Sequence, residues 1–565
     1  MARKRIKVIG WILLTLLVLA VVGRQLGRRI PSQTVLVVRL GGTIVEEPPV
    51  DLEAQMWMGD VQVLRDVLEA LERARTDERI AGVLVRIHPF AMNMAKIQEL
   101  RAKIEEFNSS GKFSLAFLEF ADNSMYYLAT ACHEVYLVPT SQLGLMGLMA
   151  HSTFLRGTLD KLRIYPDLYH IAEYKTATNL LTEKQFTRAH REMVTDLLRG
   201  WMEQFVAGIA AGRQLQPAQV EERIRKGPYS AAEAKTTGLV DDLLYADQLR
   251  EVLQKKTGKE KLSTIAVRDY LERTDRVGRH RIAIVHATGT INVGRSRFNP
   301  GSGLTMGSDT VAAALRAARR DESVRAIVFR VDSPGGSAIA SEIIRREVAL
   351  AREKKPVVVS MSDVAGSGGY WIAMPAHKIV AQPGTLTGSI GVVFGKLNVR
   401  GFYEWLGMTK DEVMTTENSG LLYPFQNFTP AQREIVLKFM REVYDDFLAA
   451  VSQNRDLPVE EVDRIGKGRV WLGEKAKELG LVDELGGLEQ AVAVAKELAN
   501  IPAEESISYV IYPQPRTTWE MYWEWLGVVG HHLPRGGLRE WFDPASSLLG
   551  RNQVMALMPF DVEMR

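Results

Sequence analysis

The chain repeats itself over a long period, and that fixes its architecture before any local structure is read. The stretch "AGVLVRI" (81–87) returns as "RAIVFRV" (325–331), and "YYLATACHEVYLVPTSQLGLMGL" from Tyr126 returns as "YWIAMPAHKIVAQPGTLTGSIGV" from Tyr370, both displaced by 244 positions (81 to 325, 126 to 370). The register persists at "FLRGTLDKL" against "NVRGFYEWL", where Arg156 faces Arg400, and with a small slip at "KGPYSAAEAKTTGLVDDL" against "KGRVWLGEKAKELGLVDEL". A unit of about two hundred residues is far longer than a solenoid repeat, so each half is one copy of a duplicated domain. A chain of 565 residues is in any case too long for a single core.

Within each copy, short β-branched runs such as "TVLVVRL", "GVLVRI" and "EVYLVP" are bounded by turns and separated by stretches of helical period. That alternation predicts an α/β fold of βαβ units with a parallel sheet, in two tandem copies. Met193, Leu197, Trp201, Phe205 and Ile209 fall at four-residue steps, matched by Ile435, Phe439, Val443, Phe447 and Val451. Both stripes read as core-facing sides of long helices. The expected division is an N-terminal cytoplasmic tip and membrane anchor over 1–30, a first repeat over 31–245, a polar connecting helix or linker on the surface over 246–280, a second repeat over 281–512, and an aromatic-rich capping tail over 513–565.

Composition narrows the function classes. The net charge of +3 is spread over 71 basic and 68 acidic side chains, which gives no reason to expect a nucleic-acid partner. The single cysteine, Cys132, excludes an intramolecular disulfide and a cysteine metal cage, and reads as a small buried apolar residue. No phosphate loop, zinc spacing or paired-carboxylate motif stands out, so neither metal nor cofactor is expected. At the N-terminus, "MARKRIK" precedes an uncharged run from Val8 to Gly23, followed by "RQLGRR". The run lacks a small-x-small cleavage site and reads as an uncleaved anchor. The basic cluster before it places the N-terminus in the cytoplasm and the bulk of the chain across the membrane.

Comparing the copies separates residues that serve the shared fold from residues present once. Ser367, in "DVAGSGGYWIAM", stands opposite Asn123, and the paired glycines of "DSPGGS" (332–337) stand opposite "HPFAMN" (88–93). Lys175, in "IAEYKTATN", stands opposite Ser419. One copy has the serine without the lysine and the other the lysine without the serine. Two copies packed with pseudo-symmetry could therefore each supply half of a Ser/Lys dyad. His377, ten residues after Ser367, has a twin, His133, in the copy that lacks the serine, so both read as structural.

At these residues the chain resembles the signal peptide peptidase A family in its long, duplicated form, serine peptidases of the Clp protease/crotonase superfamily. The resemblance is carried by "VDSPGGS" (331–337), "GSGGYWIA" (366–373), "TLTGSIGV" (385–392) and "EYKTA" (173–177), in that family's pattern. It implies a Clp/crotonase-like fold with Ser367 as nucleophile, Lys175 as general base and acid, Gly336 as oxyanion donor and Ser389 as the partner orienting the lysine. It also implies an inner-membrane protein with an extracytoplasmic site that degrades cleaved signal peptides as a homotetramer. The chain departs from the family in having Gly366 before the serine, Glu173 before the lysine and "TNLLTEKQF" after it. A carboxylate at Glu173 would raise the pKa of Lys175 if it faced the same way.

The residue types suit acyl transfer. Serine needs a base to take its proton, and lysine serves only when burial keeps it neutral, as a domain interface can. The competing readings are a crotonase-type enzyme that stabilises an acyl-CoA enolate and a membrane scaffold with an inactive site.

Overall fold

The computed structural model describes residues 29–48, 58, 61–274, 278–299, 303–513 and 555–557. The anchor expected at 8–23 lies outside these residues, as does most of the tail expected from 513. No described helix is long and apolar enough to cross a membrane.

The first repeat is a parallel sheet of strands β1 (Thr34–Val45), β2 (Ile80–Ala91), β3 (Phe113–Leu118) and β4 (Glu134–Leu137), hydrogen-bonded in that order. Helices α1 (Met94–Asn108) and α2 (Asn123–Ala129) connect them. Two elements leave this body: strand β5 (Tyr165–Ile171) and the long helix α3 (Arg188–Arg213). Strand β6 (Asp242–Leu243), helix α4 (Ala246–Thr257) and strand β7 (Thr264–Ala266) complete the repeat, with β6 beside β4 and β7 parallel to β1.

The second repeat restates the plan with β8 (His280–Thr288), β9 (Thr290–Asn292), β10 (Gly303–Gly307), β11 (Val324–Ser333), β12 (Gly335–Ser337), α5 (Ala338–Arg352), β13 (Val357–Gly366), α6 (Gly368–Ala373), β14 (Lys378–Ala381), β15 (Leu386–Gly388) and β16 (Val392–Asn398). Helix α7 (Pro430–Arg455), strands β17 (Val470–Leu472) and β18 (Glu484–Leu485), helix α8 (Leu488–Leu498) and strand β19 (Ile507–Tyr512) follow. Its main sheet runs β17, β15, β13, β11, β8, β19, and β14 also pairs with β13. The central strands are almost wholly buried, as Ile327 to Val331 illustrate, because helices cover both faces of a parallel sheet.

The repeats join through a third sheet. Strand β5 of the first repeat pairs antiparallel with β16 of the second over seven residues, from Val392 opposite Ile171 to Asn398 opposite Tyr165. The cores also merge, since Leu386, Val470 and Leu472 of the second repeat pack into the apolar cluster of the first. Trp201 of α3, which is 2 % exposed, donates its Nε1–H to the Gly384 carbonyl at 2.8 Å.

Two expectations need correction. The stretch 246–280 is not a surface linker: α4 buries Leu249 and Leu253, and β7 adds an edge strand to the first sheet, as β19 does in the second. Its polar composition reflects a helix covering one face and a short edge strand. The helical stripe is wholly buried on α3 but not on α7, where Phe439 is 52 % exposed and Val436, Met440, Tyr444, Phe447 and Val451 face the core. The reason is that α3 lies against the second repeat, where Met193 Sδ accepts the Val470 N–H and Leu472 abuts Gly200, whereas among the described residues no further repeat covers α7 at Phe439. The tail contributes strand β20 (Met555–Leu557), which lies between β12 and β16.

Trp201→Ala removes a filled cross-repeat contact and a buried hydrogen bond, and is expected to lower stability by about 3–5 kcal/mol. Urea unfolding followed by far-ultraviolet circular dichroism reads this directly.

Candidate active site

Strand β13 ends at Gly366, and the chain then turns sharply at Ser367, which has φ +57° and ψ −114°, into α6. This conformation costs a non-glycine residue about 1–3 kcal/mol and persists only where surroundings impose it. Here Ser367 donates its N–H to Gly388 O at 2.7 Å, and Thr387 Oγ1 donates to Ala365 O at 2.8 Å. The glycines after the serine are required by close approach. A Cβ on Gly368 would lie 2.6 Å from Ser341 Oγ and 3.1 Å from Gly336 N, and one on Gly369 would lie 2.6 Å from Ser333 O. The start of α6 therefore rests directly against the strand that carries Gly335 and Gly336.

Lys175 arrives from the other repeat. The β5–β16 pairing carries the chain to Ile171, Ala172 turns it at φ +84°, and Lys175 follows fully buried. Its Nζ lies 2.6 Å from Ser367 Oγ, 2.8 Å from Ser389 O and 3.0 Å from Ser389 Oγ. Burial alone holds its pKa well below the ordinary lysine value, because the charged form has lost its water without gaining a carboxylate. Glu173 does not enter, since its side chain is exposed. The lysine's backbone is pinned by the second repeat. Tyr174 donates its N–H to Lys467 O at 2.9 Å, and a Cβ on Gly468 would lie 2.3 Å from Lys175 N.

Gly336 stands in the left-handed region at φ +156°, and a Cβ there would lie 2.1 Å from Ile291 O. No side chain fits, so Ile291 lies directly against one edge of β12 and only the other edge is left for pairing. That edge is where β20 pairs, antiparallel, with Ala556 opposite Gly336. The chain's own Met555–Leu557 thus fills the place between β12 and β16.

The counterpart positions hold structural groups. Asn123, the twin of Ser367, accepts the N–H groups of Met146 and Gly147 at 3.0 and 3.1 Å. Ser419, the twin of Lys175, accepts the Thr416 N–H at 3.3 Å on an exposed turn. His377 accepts the Val357 N–H at 3.1 Å, and His133 lies 3.2 Å from Ser114 Oγ at the matching place. The sequence reading missed Arg469. It stacks between Tyr174 and Trp471, at 4.6 and 4.8 Å from their ring centres, and pairs with Glu192 at 2.9 Å and with Asp196. Its backbone carbonyl accepts the Ser389 N–H at 2.7 Å, so one residue braces both Tyr174, next to the lysine in sequence, and Ser389, which receives its amine. The shared "KG" before it signalled a fold position in both copies but no role.

A sequence model of a known family, Peptidase family S49, matches the chain twice, over residues 106–260 and 349–502. The chain belongs to peptidase family S49. Its sequence is 33% identical over 501 residues to "Serine protease SPPA, chloroplastic" of Arabidopsis thaliana, covering 87% of this chain and 73% of that one. It is 33% identical over 491 residues to "Protease 4" of Salmonella typhi, covering 82% and 78%. A solved structure of a ClpP1 mutant from Listeria monocytogenes is similar over 37% of this chain and 94% of its own at 14% identity and a TM-score of 0.25, too faint a likeness to add to the fold described above. This S49 protein is a serine-type peptidase with two copies of the family domain. Among the described residues no group of His, Cys, Asp and Glu could hold a metal ion.

Gly468→Ala is expected to displace the Lys175 backbone and reduce peptide hydrolysis by at least about tenfold, with the fold retained. Steady-state kinetics beside a thermal melt checks both halves of that expectation.

Proposed function

We propose that this S49 peptidase is a membrane-anchored endopeptidase that cleaves signal peptides and similar apolar peptides through a Ser367/Lys175 dyad formed between its repeats. The observation that carries the reading is the 2.6 Å separation of Lys175 Nζ and Ser367 Oγ in a buried site with no carboxylate partner for the amine. Neutral Lys175 takes the proton of Ser367 Oγ as the oxygen attacks a peptide carbonyl. The developing oxyanion accepts from the Gly336 N–H and from the N–H of Gly368, the residue after the nucleophile, donors of a kind worth about 3–4 kcal/mol of barrier. The lysine ammonium then protonates the leaving amine, and water reverses the steps to release the acyl group. Ser389, through its hydroxyl and carbonyl oxygens, accepts from Nζ and points the nitrogen lone pair at Ser367.

An extended substrate would take the place of β20 between β12 and β16, where a strand pairs antiparallel to the Gly335–Ser337 backbone. The uncharged run from Val8 to Gly23 between basic clusters supports a single inner-membrane anchor with the catalytic repeats outside the cytoplasm. The homotetramer and the signal-peptide preference rest on the family resemblance. The domain limits follow the duplication, with 246–266 assigned to the first repeat.

A fluorophosphonate probe is expected to label Ser367 in the intact chain, and Ser367→Ala and Lys175→Ala are each expected to abolish labelling and hydrolysis. Normal turnover by Lys175→Ala would end the dyad reading. Because the active base is the neutral amine, activity should rise with pH through the lowered lysine pKa and level off above it. A profile flat between about pH 6 and 9 counts against a lysine base.

The same burial has a cost in stability. Burial lowers the pKa of Lys175 in the folded chain, so between the folded and unfolded pKa values the unfolded chain holds a proton that the folded chain does not, and the penalty is largest at low pH and fades as pH rises toward about 10.4. Lys175→Met is expected to melt at a higher temperature than the parent at pH 7, with the gain shrinking toward pH 10.

A further inference from the structure

Lys96 lies in α1 of the first repeat, yet its amine enters the second. Nζ donates to Asp332 Oδ2 at 2.6 Å and lies 3.4 Å from Asp363 Oδ2 and 3.7 Å from Glu46 Oε1, and the residue is only 8 % exposed. Its two nearest partners sit at decisive points. Asp332 immediately precedes the Ser333–Pro334–Gly335–Gly336 turn, and Asp363 lies on β13 just before the turn at Ser367.

Each carboxylate also fixes backbone. Asp332 Oδ1 accepts the Val364 N–H at 3.2 Å, where the β11–β13 ladder shifts register between Val331 and Ser333. That bond replaces a ladder bond at the irregularity that lets β11 swing out toward Gly336. Asp363 accepts the N–H groups of Lys96 at 3.0 Å and Asn93 at 3.2 Å, capping a helix whose own N-cap, Asn93, makes no side-chain cap. Two buried carboxylates this close repel unless a cation stands between them. The repeats are again complementary here: the position 244 beyond Lys96 is Ala340, and the position 244 before Asp332 is His88.

We propose that Lys96 is a positioning residue for peptide hydrolysis: by bridging Asp332 and Asp363 it sets the spacing between the turn bearing Gly336 and the strand bearing Ser367. The proposal rests on the roles given above to Ser367 and Gly336. Lys96 touches neither the reacting atoms nor the substrate slot, and acts only through the two carboxylates. It makes the first repeat responsible for the alignment of nucleophile and oxyanion donor as well as for the base.

The test uses the full chain with Lys96→Met, which keeps length and removes charge, and the double variant Lys96→Met/Asp332→Asn. Asparagine still accepts the Val364 N–H through its oxygen but no longer repels Asp363. Active sites are counted by exhaustive fluorophosphonate labelling, and kcat and KM are measured per labelled site on an internally quenched apolar peptide. Lys96→Met is expected to lose about 100-fold in kcat with KM changed less than about threefold, the signature of a misplaced reacting group. The double variant is expected to recover at least about tenfold of that loss, whereas a purely structural ion pair would change the number of labelled sites and leave kcat per site alone. A Lys96→Met kcat within about threefold of the parent, or a loss confined to KM, overturns the proposal. If Lys96→Met does not fold, the double variant decides: a kcat about three- to tenfold below the parent supports the proposal, and a kcat within about threefold of the parent or more than about tenfold below it overturns it. An intact chain that is not labelled at Ser367 would instead sink the reading of the site itself.

Discussion

A primary amine kept out of water is the constraint around which the site is arranged. Lys175 is fully buried and has lost its hydration without gaining a countercharge. A lysine on a single domain's surface would stay solvated and charged. Keeping this one dry takes walls from two bodies: the β5–β16 ladder brings the chain in, Gly391 and Gly468 lie flat against it, and Ser389 accepts its donors. Precision at the amine therefore derives from strand register, since a one-residue slip of β5 on β16 would turn every side chain of β5 to the opposite face.

The charged groups between the repeats reinforce the same geometry. Arg330 is completely buried, donating to Glu46 at 2.9 and 3.0 Å, to Glu99 at 2.7 Å and to Ser360 at 2.8 Å. Burial of such a network adds little net stability, because desolvation offsets the Coulomb attraction. What it adds is selectivity, since any other docking would strand charges in a dry interface. Its twin in the first repeat, Arg86, is left with Glu119 near the surface. Duplication supplied two copies of an arginine, and docking buried only one of them.

Much of this was legible in the sequence, for a reason specific to duplicated chains. The 244-residue offset aligns β2 with β11, α1 with α5 and β3 with β13, so one sequence served as its own comparison. The asymmetries at Asn123/Ser367 and Lys175/Ser419 drew attention to two residues that the fold places 2.6 Å apart. What escaped notice depends on the partner surface. The segment 246–280 looks like a linker in sequence because an edge strand and one-sided helices bury only a few residues each. The α7 stripe was misjudged at Phe439 because periodicity reports which face is apolar, not whether anything covers it. Arg469 and Lys96 escaped because lysines and arginines are ordinarily solvated, and only the docked pair of repeats shows what they touch.

Placing the buried amine and the strained serine on separate folding units also orders events in time. Lys175 precedes Ser367 by 192 positions, so a growing chain completes the first repeat long before the second has a sheet to offer. Until then β5 has no β16 to pair with, and the lysine remains hydrated and protonated. A chain interrupted between the repeats, or one whose second half misfolds, holds neither a dry amine nor a turn at Ser367. On the reading of the site proposed above, amine and serine meet only once both repeats have folded and docked.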